Sequence, residues 1–273
     1  MGEGDQYEEH APTEALRPFI RTLWTYCAPA PSGDVQRIAP DGCPELVVDI
    51  GAPYEEQGPD GVFRIQPRAL FAGQMTRPLA LRAAGPVELI AIRFEPDGAR
   101  DWLDLPLIKA TDRRLDMAER MKDVRPPSGN VPGQVALILA WLEEQRCRNH
   151  WQLDPVVRAE VQACTLDPAP ESRSSAERRA LQRRFRDRVG IAPRTLRAIH
   201  RFRRVFDHVA EAESDAGTWL QAGLDAGYFD QPQMARDFRR FLGCTATEWA
   251  SDQVELARRI ASQSYKPSLH SPL

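Results

Sequence analysis

The chain has 273 residues with a formal net charge of only −3, enough length for two domains that each bury a core, and no overall excess of charge that by itself announces a polyanionic partner. Five cysteines, at 27, 43, 147, 164 and 244, include no CxxC pair and are odd in number, which argues against a disulfide framework or a zinc site. The acidic start MGEGDQYEEH lacks an apolar signal region and no run reaches transmembrane length, so a cytoplasmic, bacterial-style protein with no membrane partner is expected.

Residues 1 to about 15 are polar and are expected to fray. From Phe19 the pattern changes: FIRTLWTYCA (19–28), ELVVDIG (45–51), VFRIQ (62–66), RALFAG (68–73) and PVELIAIRFEP (86–96) are short β-branched or aromatic runs separated by Pro, Gly and Asp. Such spacing predicts a small β-barrel or sandwich. PDGCP (40–44) reads as a turn entering a strand, and FEPDGA (94–99) as a turn leaving one. Helical periodicity follows at 99–105, at 112–122 and, more fully, at 133–148, where Val135, Ile138, Leu139 and Leu142 share a face. The 125–130 segment RPPSGN is a loop, and 149–154 reads as a linker.

The C-terminal half is helical throughout. Pro155 at a first helical position, behind Asp154 as cap, opens a helix over 155–166, and the Pro-rich 167–170 stretch breaks it. Ser174 or Ser175 caps the next helix, which ends at Gly190, and a long helix runs from Arg194 to about Glu211. Residues 217–249, GTWLQAGLDAGYFDQPQMARDFRRFLGCTATEW, read as helix, sharp turn and second helix, with Gly227 at the turn, Asp230 as N-cap and Pro232 in the first turn. Leu181, Phe185, Leu220, Tyr228, Met234, Phe238, Phe241, Leu242 and Trp249 fall at core spacing. Phe202 and Phe206, four apart, should clamp the two helical motifs together. Between residues 172 and 204 twelve arginines face two acids, a local balance of +10 that leaves −13 for the rest of the chain. A basic block on an acidic body is the distribution expected of a nucleic-acid-binding segment.

The AGY at 226–228, Asp230-Gln231, the RDF at 236–238, Gly243 and the TxxEW stretch at 245–249 together resemble the second helix-turn-helix of AraC/XylS-type transcription regulators. Leu181-Gln182-Arg183-Arg184-Phe185 with Gly190 resembles the recognition helix of that family's first motif. PDGCPELV (40–47), FAGQ (71–74) and IRFEPDGA (92–99) resemble an uncharacterised β-rich domain found ahead of such modules. The resemblance implies an α+β protein: an N-terminal effector-binding or dimerisation domain over 1–150, an all-α double helix-turn-helix module over 151–262, and a disordered tail over 263–273. One departure is visible, because the family places a separate helix of small apolar residues before its first recognition helix and only 168–173 is available here. Either that supporting helix is lost, or 155–166 builds the first motif in altered geometry.

Aligned on Phe185 and Phe238, the resemblance implies that the family's base-facing positions fall on Arg179, Gln182 and Arg183, and on Gln231, Pro232, Ala235 and Arg236; Gln233 joins them as an outward-facing candidate. Arginine and glutamine can contact base edges bidentately, whereas Pro232 and Ala235 offer apolar contact alone. Arg184, Arg186, Arg188, Arg239 and Arg240 are candidates for phosphate contacts. In the β-domain Trp24, Tyr26, Asp41, Cys43, Glu45 and Arg93 are the side chains expected to line a ligand pocket, with barrel filling and turn stabilisation as the alternative. The five histidines show no metal spacing, no cofactor motif is present, and no nucleophile elbow, phosphate loop or HExxH supports an enzyme. Double-stranded DNA, a small-molecule effector, RNA polymerase and a second copy of the chain are the expected partners. The other reading is a ligand-sequestering protein whose helical module no longer reads DNA.

Overall fold

The computed structural model describes residues 6–29, 33–122, 124, 131–166, 174–211 and 216–245. Several expectations lie outside it: the 1–5 start, the 125–130 loop, the 167–170 break, the side chain of Leu220, the 246–249 end of the TxxEW stretch with Trp249, and the 263–273 tail.

The N-terminal half holds two antiparallel sheets. The first runs β1 (Gln6–His10), β2 (Ile20–Ala28), β9 (Val87–Phe94), β4 (Glu45–Asp49), β7 (Ala69–Ala72) and β10 (Arg114–Asp116), and the second runs β3 (Gln36–Ile38), β8 (Leu79–Ala83), β5 (Tyr54–Gln57) and β6 (Phe63–Ile65). Among the described residues no strand pair joins the two sheets, so the unit is a sandwich and not a closed barrel. Strand β9 shows how the sequence directs this. Its alternate residues Val87, Leu89 and Ala91 pack with Tyr26 and Tyr54 between the sheets. Ile90, Ile92 and Phe94 point the other way, into a core shared with α1 (Arg100–Leu103) and α3 (Val131–Arg148). Period-two side chains buried on both faces make this the central strand. Trp102 of α1 lies 5.4 Å from Phe94 and 5.6 Å from Phe71, ring centre to ring centre, and is fully buried. An aromatic side chain buried in this way contributes roughly 1.5–3 kcal/mol.

Two expectations for this half are corrected. The polar start is not frayed over residues 6–10, because QYEEH pairs with β2 from Gln6↔Cys27 to His10↔Leu23, a partner that its composition does not advertise. Residues 112–122 are not one helix: Arg114–Asp116 forms edge strand β10 on β7, and a single turn, α2 (Ala118–Met121), follows. The expected runs at 19–28, 45–51, 62–66, 68–73 and 86–96 are strands, whereas β3, β5 and β8 arise from stretches that carried no such signal.

The C-terminal half is a helical module: α4 (Pro155–Leu166), α5 (Ser175–Val189), α6 (Pro193–Glu211), α7 (Ala216–Asp225) and α8 (Gln231–Leu242). Among the described residues no helix stands between α4 and α5. The core of the module is built on α6, whose Leu196, Ile199, Phe202, Val205 and Phe206 pack with Val157 and Val161 of α4, Phe185 of α5 and Phe238 of α8. Ala39, from the loop before β4, is buried in this same cluster, so the N-terminal half plugs into the helical core.

Candidate nucleic-acid interface

Helix α5 begins with a reciprocal cap. The Ser174 hydroxyl accepts from the Glu177 amide at 3.3 Å, and the Glu177 carboxylate accepts from the Ser174 amide at 2.8 Å. It ends at Gly190 in the left-handed region (φ 92°), whose amide donates to the Arg186 carbonyl. Leu181, Phe185 and Val189 bury one face. Arg179, Gln182, Arg183 and Arg186 stand exposed on the other, and among the described residues none of these three arginines has a carboxylate partner. Two of the arginines expected on phosphate are instead engaged within the chain. Arg184 pairs with Asp154 at 2.6 Å and Arg188 with Asp101 at 3.0 Å. Asp154 also accepts from the first amides of α4; although burial opposes it, the Arg184 guanidinium and those amides hold its carboxyl below the ordinary value.

Helix α8 repeats the design. Asp230 accepts from the Gln233 amide at 2.6 Å, Pro232 sits in the first turn, and Gly243 closes the helix at φ 81°. Met234, Phe238, Phe241 and Leu242 are buried, and Gln231, Pro232, Arg236, Arg239 and Arg240 are exposed. Gln233 is half-buried and its amide oxygen accepts from the Phe229 backbone at 2.9 Å, so it also ties the turn to the helix. Ala235 is half-buried, and the Arg240 guanidinium lies over the neighbouring Phe241 ring at 4.9 Å. Arg236 and Arg239 have no carboxylate partner among the described residues. The turn before α8 is tight because Gly223 of α7 lies where a Cβ would come 2.7 Å from the Met234 sulfur.

Helix α6 fastens both motifs, as Phe202 and Phe206 were expected to do. The Phe202 ring meets Phe238 at 5.0 Å and Phe241 at 5.5 Å. Arg201 pairs with Asp237 of α8 at 2.8 Å, and Arg204 donates to the Thr165 carbonyl at the end of α4 and to the Ala226 carbonyl after α7.

The N-terminal half stands directly against α5. Arg100 pairs with Asp187 at 3.2 Å, the Thr111 hydroxyl donates to the Gly190 carbonyl at 2.7 Å, and Arg158 of α4 pairs with buried Asp97 at 2.9 Å. The 3-10 turn Leu107–Lys109 packs beside α5. Pro106 and Ile108 form one wall of a cleft of about 360 Å³ whose other wall is Arg179, Gln182, Arg183, Arg186 and Asp187. Pro106 and Ile108 carried no sequence signal, since a short turn has no periodicity to reveal what it faces. On the other side Gly42, at φ 86°, approaches α6 so closely that a Cβ would lie 2.8 Å from Leu196 and 2.9 Å from the His200 ring.

Of the side chains expected at a ligand pocket, Trp24, Tyr26, Glu45 and Arg93 share the inner face of the first sheet, and Asp41 and Cys43 lie in the loop that leads into β4. Glu45 is paired in register with Arg93, and Trp24 sits opposite Ala91 on the next strand. Arg93 bonds Glu45 at 2.7 Å and Asp41 at 3.3 Å, while the Trp24 indole donates to Glu45 at 3.2 Å. Asp41 in turn accepts from the Cys43 amide, and burial pushes the Cys43 thiol and the Glu45 carboxyl upward. Tyr26 lies further along, in the apolar layer between the sheets. These groups therefore satisfy one another. Tyr7, 5.7 Å from Trp24, joins the cluster through the strand that composition left unassigned. Among the described residues no group of three His, Cys, Asp or Glu side chains could hold a metal ion, and no helix is long and apolar enough to cross a membrane.

Residues 8–116 match the family model of a domain of unknown function (DUF6597), and residues 172–252 that of a helix-turn-helix domain. No curated protein matches the chain. Among solved structures it is similar to apo ToxT, a single-residue variant from Vibrio cholerae strain SCE256, at 9% identity over 84% of this chain and 97% of that one, with a TM-score of 0.45. A 1.65 Å structure of Vibrio cholerae ToxT matches at 10% identity over 84% and 98%, with a TM-score of 0.43. The cupin domain of an XRE family transcriptional regulator from Enterobacter cloacae matches at 23% identity over 34% of this chain and 97% of its own, with a TM-score of 0.25.

Proposed function

For a chain that carries a helix-turn-helix domain of the AraC type behind a domain of unknown function, we propose the role of a transcription regulator that binds double-stranded promoter DNA through α5 and α8. The observation that carries the reading is selective pairing. Arg184, Arg188 and Arg201, bonded to carboxylates, sit beside the core or the domain junction, while Arg179, Arg183, Arg186 and Arg236 stand exposed without a carboxylate partner among the described residues. Guanidinium groups left free on two capped helices, both fixed to α6, are placed to meet bases and phosphates. Gln182, Gln231, Gln233 and Arg240 complete the contact surface. In this reading residues 1–150 form the regulatory unit and take a small-molecule effector, residues 151–262 form the DNA-binding unit, and RNA polymerase and a second copy of the chain are its protein partners. The protein acts in the cytoplasm and is not an enzyme.

Arg183→Ala and Arg236→Ala are each expected to weaken binding to the chain's own upstream DNA by about 1–3 kcal/mol, with less effect on a scrambled duplex. Fluorescence anisotropy across a salt series reads both, and a steep decline with salt accompanies the phosphate contacts. Equal, weak binding to both duplexes, unmoved by either substitution, would sink the reading and favour a ligand-sequestering protein.

The cleft beside α5 adds a condition. An α-helix with its side chains is about 10–12 Å across and fills a major groove about 12 Å wide. Helix α5 with Pro106 and Ile108 alongside is wider than that, so the N-terminal half must draw back for α5 to enter. Asp101→Ala removes a charge that holds α5 through Arg188 and is expected to tighten DNA binding severalfold in the same titration; unchanged or weaker binding would show that the junction does not restrain α5.

A further inference from the structure

The second sheet and the end of α8 border a cleft of about 350 Å³ whose charged lining is unbalanced: among the described residues Arg37, Arg77 and Arg114 face a single carboxylate, Glu56. That carboxylate is already committed, to Arg114 at 3.1 Å and to the Gln66 amide at 2.8 Å. The Arg114 side chain is only 10% exposed, its Nε is buried with no hydrogen-bond partner among the described residues, and burial lowers its pKa, with the Arg77 charge acting in the same direction and Glu56 and Asp112 opposing. Arg37 and Arg77 are exposed and make no ion pair among the described residues. Pro59, Pro78 and Leu79 supply an apolar wall.

From this arrangement we infer that the cleft is the binding site of a small metabolite carrying two or more oxyanion groups. Three guanidinium forks converge where one acid is present and already bonded, and the planar fork matches a carboxylate or phosphate bidentately. An orphaned, buried Nε is a donor that such a ligand satisfies. The volume lies in the range of about 300–1,000 Å³ usual for small-molecule sites. A neutral sugar or an unsubstituted hydrocarbon would leave the net positive charge uncompensated.

The site touches α8. Gly243 ends that helix, and a Cβ there would lie 3.4 Å from Arg37 Nη1 and 3.4 Å from Pro78. Arg37 thus stands at the carbonyl end of the helix, where the macrodipole favours a cation. A ligand that draws Arg37 into the cleft removes that cation from α8. This coupling rests on the reading of α8 as a DNA-reading helix; the binding of the anion does not.

The test uses the full chain and two probes, citrate and inorganic pyrophosphate, titrated calorimetrically at matched ionic strength. At least one is expected to bind with a Kd under about 1 mM. Preference for citrate identifies a carboxylate ligand, preference for pyrophosphate a phosphorylated one. The Arg37→Ala/Arg77→Ala variant changes exposed side chains and at most the modest support that Arg37 gives the end of α8, so without ligand it stays folded with a melting temperature within a few degrees of the unmodified chain, and is expected to bind at least about tenfold more weakly, the equivalent of about 1.4 kcal/mol. Arg183→Ala/Arg236→Ala is expected to bind the anion as the unmodified chain does. No saturable heat from either probe up to about 10 mM overturns the inference, as does equal affinity in the Arg37/Arg77 variant. Anion binding that persists in a chain with no affinity for DNA would defeat the regulator and leave this site standing, whereas selective DNA binding without anion binding does the reverse. Where both hold, the anion is expected to shift the DNA affinity of the unmodified chain and not that of the Arg37/Arg77 variant.

Discussion

Arg93→Ala is expected to destabilise the N-terminal half by about 3–5 kcal/mol, the range for removing one partner of a buried ion pair. The Arg93 side chain is 6% exposed and answers two carboxylates, Glu45 at 2.7 Å and Asp41 at 3.3 Å. Taking it away leaves two acids, Glu45 on the inner face of the sheet and Asp41 in the loop before β4, with the Trp24 indole and the Cys43 amide as neutral donors to them. Neutralising rather than exposing the pair should do much less harm, so Arg93→Met/Glu45→Leu is expected to lose less than the sum of its single substitutions, a coupling that a double-mutant cycle in urea reads directly. A loss under about 1 kcal/mol for Arg93→Ala would mean that water reaches both acids and that the cluster is an open pocket. The distinction bears on function, because side chains that satisfy one another serve the sandwich first and a ligand only if they are released.

Asp49→Asn is expected to stabilise the protein at pH 8 and to leave it nearly unchanged at pH 4. Asp49 is 1% exposed, one of its carboxylate oxygens has no hydrogen-bond partner among the described residues, and burial pushes its pKa up to about 7, against the lowering influence of Arg68. An acid whose folded pKa lies above its unfolded value of about 3.9 takes up a proton on folding, so stability declines as pH rises through the window from about 4 to 7 and is level above it. A rise of that size corresponds to a loss on the order of 4 kcal/mol above the window, which the uncharged amide removes. The readout is the difference in unfolding free energy between variant and unmodified chain across that window. A difference that stays flat with pH would show that Asp49 titrates as an ordinary exposed acid.

Much of the helical half was legible because its signals are local. Ser174 and Glu177, Asp230 and Gln233, and the terminal Gly190 and Gly243 each act within four residues of the helix end they define, so α5 and α8 can be bounded from the sequence. Strand β9 was legible for a similar reason: its side chains alternate between two apolar layers. Strand β1 was not, because QYEEH is polar and half-exposed and becomes a strand only by bonding to β2. Strand β10 was not legible either, because three residues, RLD, carry no period of either kind, and β7 supplies the ladder that decides.

The amino-acid sequence by itself determined the order of the two halves, the helix ends of the C-terminal module and the apolar faces that fold it onto α6, since each depends on caps and periodicities spanning a few residues. Only the tertiary structure decided which arginines are free. Arg184 meets Asp154 across 30 residues and Arg188 meets Asp101 across 87, while Arg179, Arg183 and Arg186 on the same helix meet no acid among the described residues. The same holds for Arg37, Arg77 and Arg114, which three separate segments bring to one cleft. An ion pair forms or fails according to a partner within about 4 Å in space, and separation along the chain carries no information about that distance.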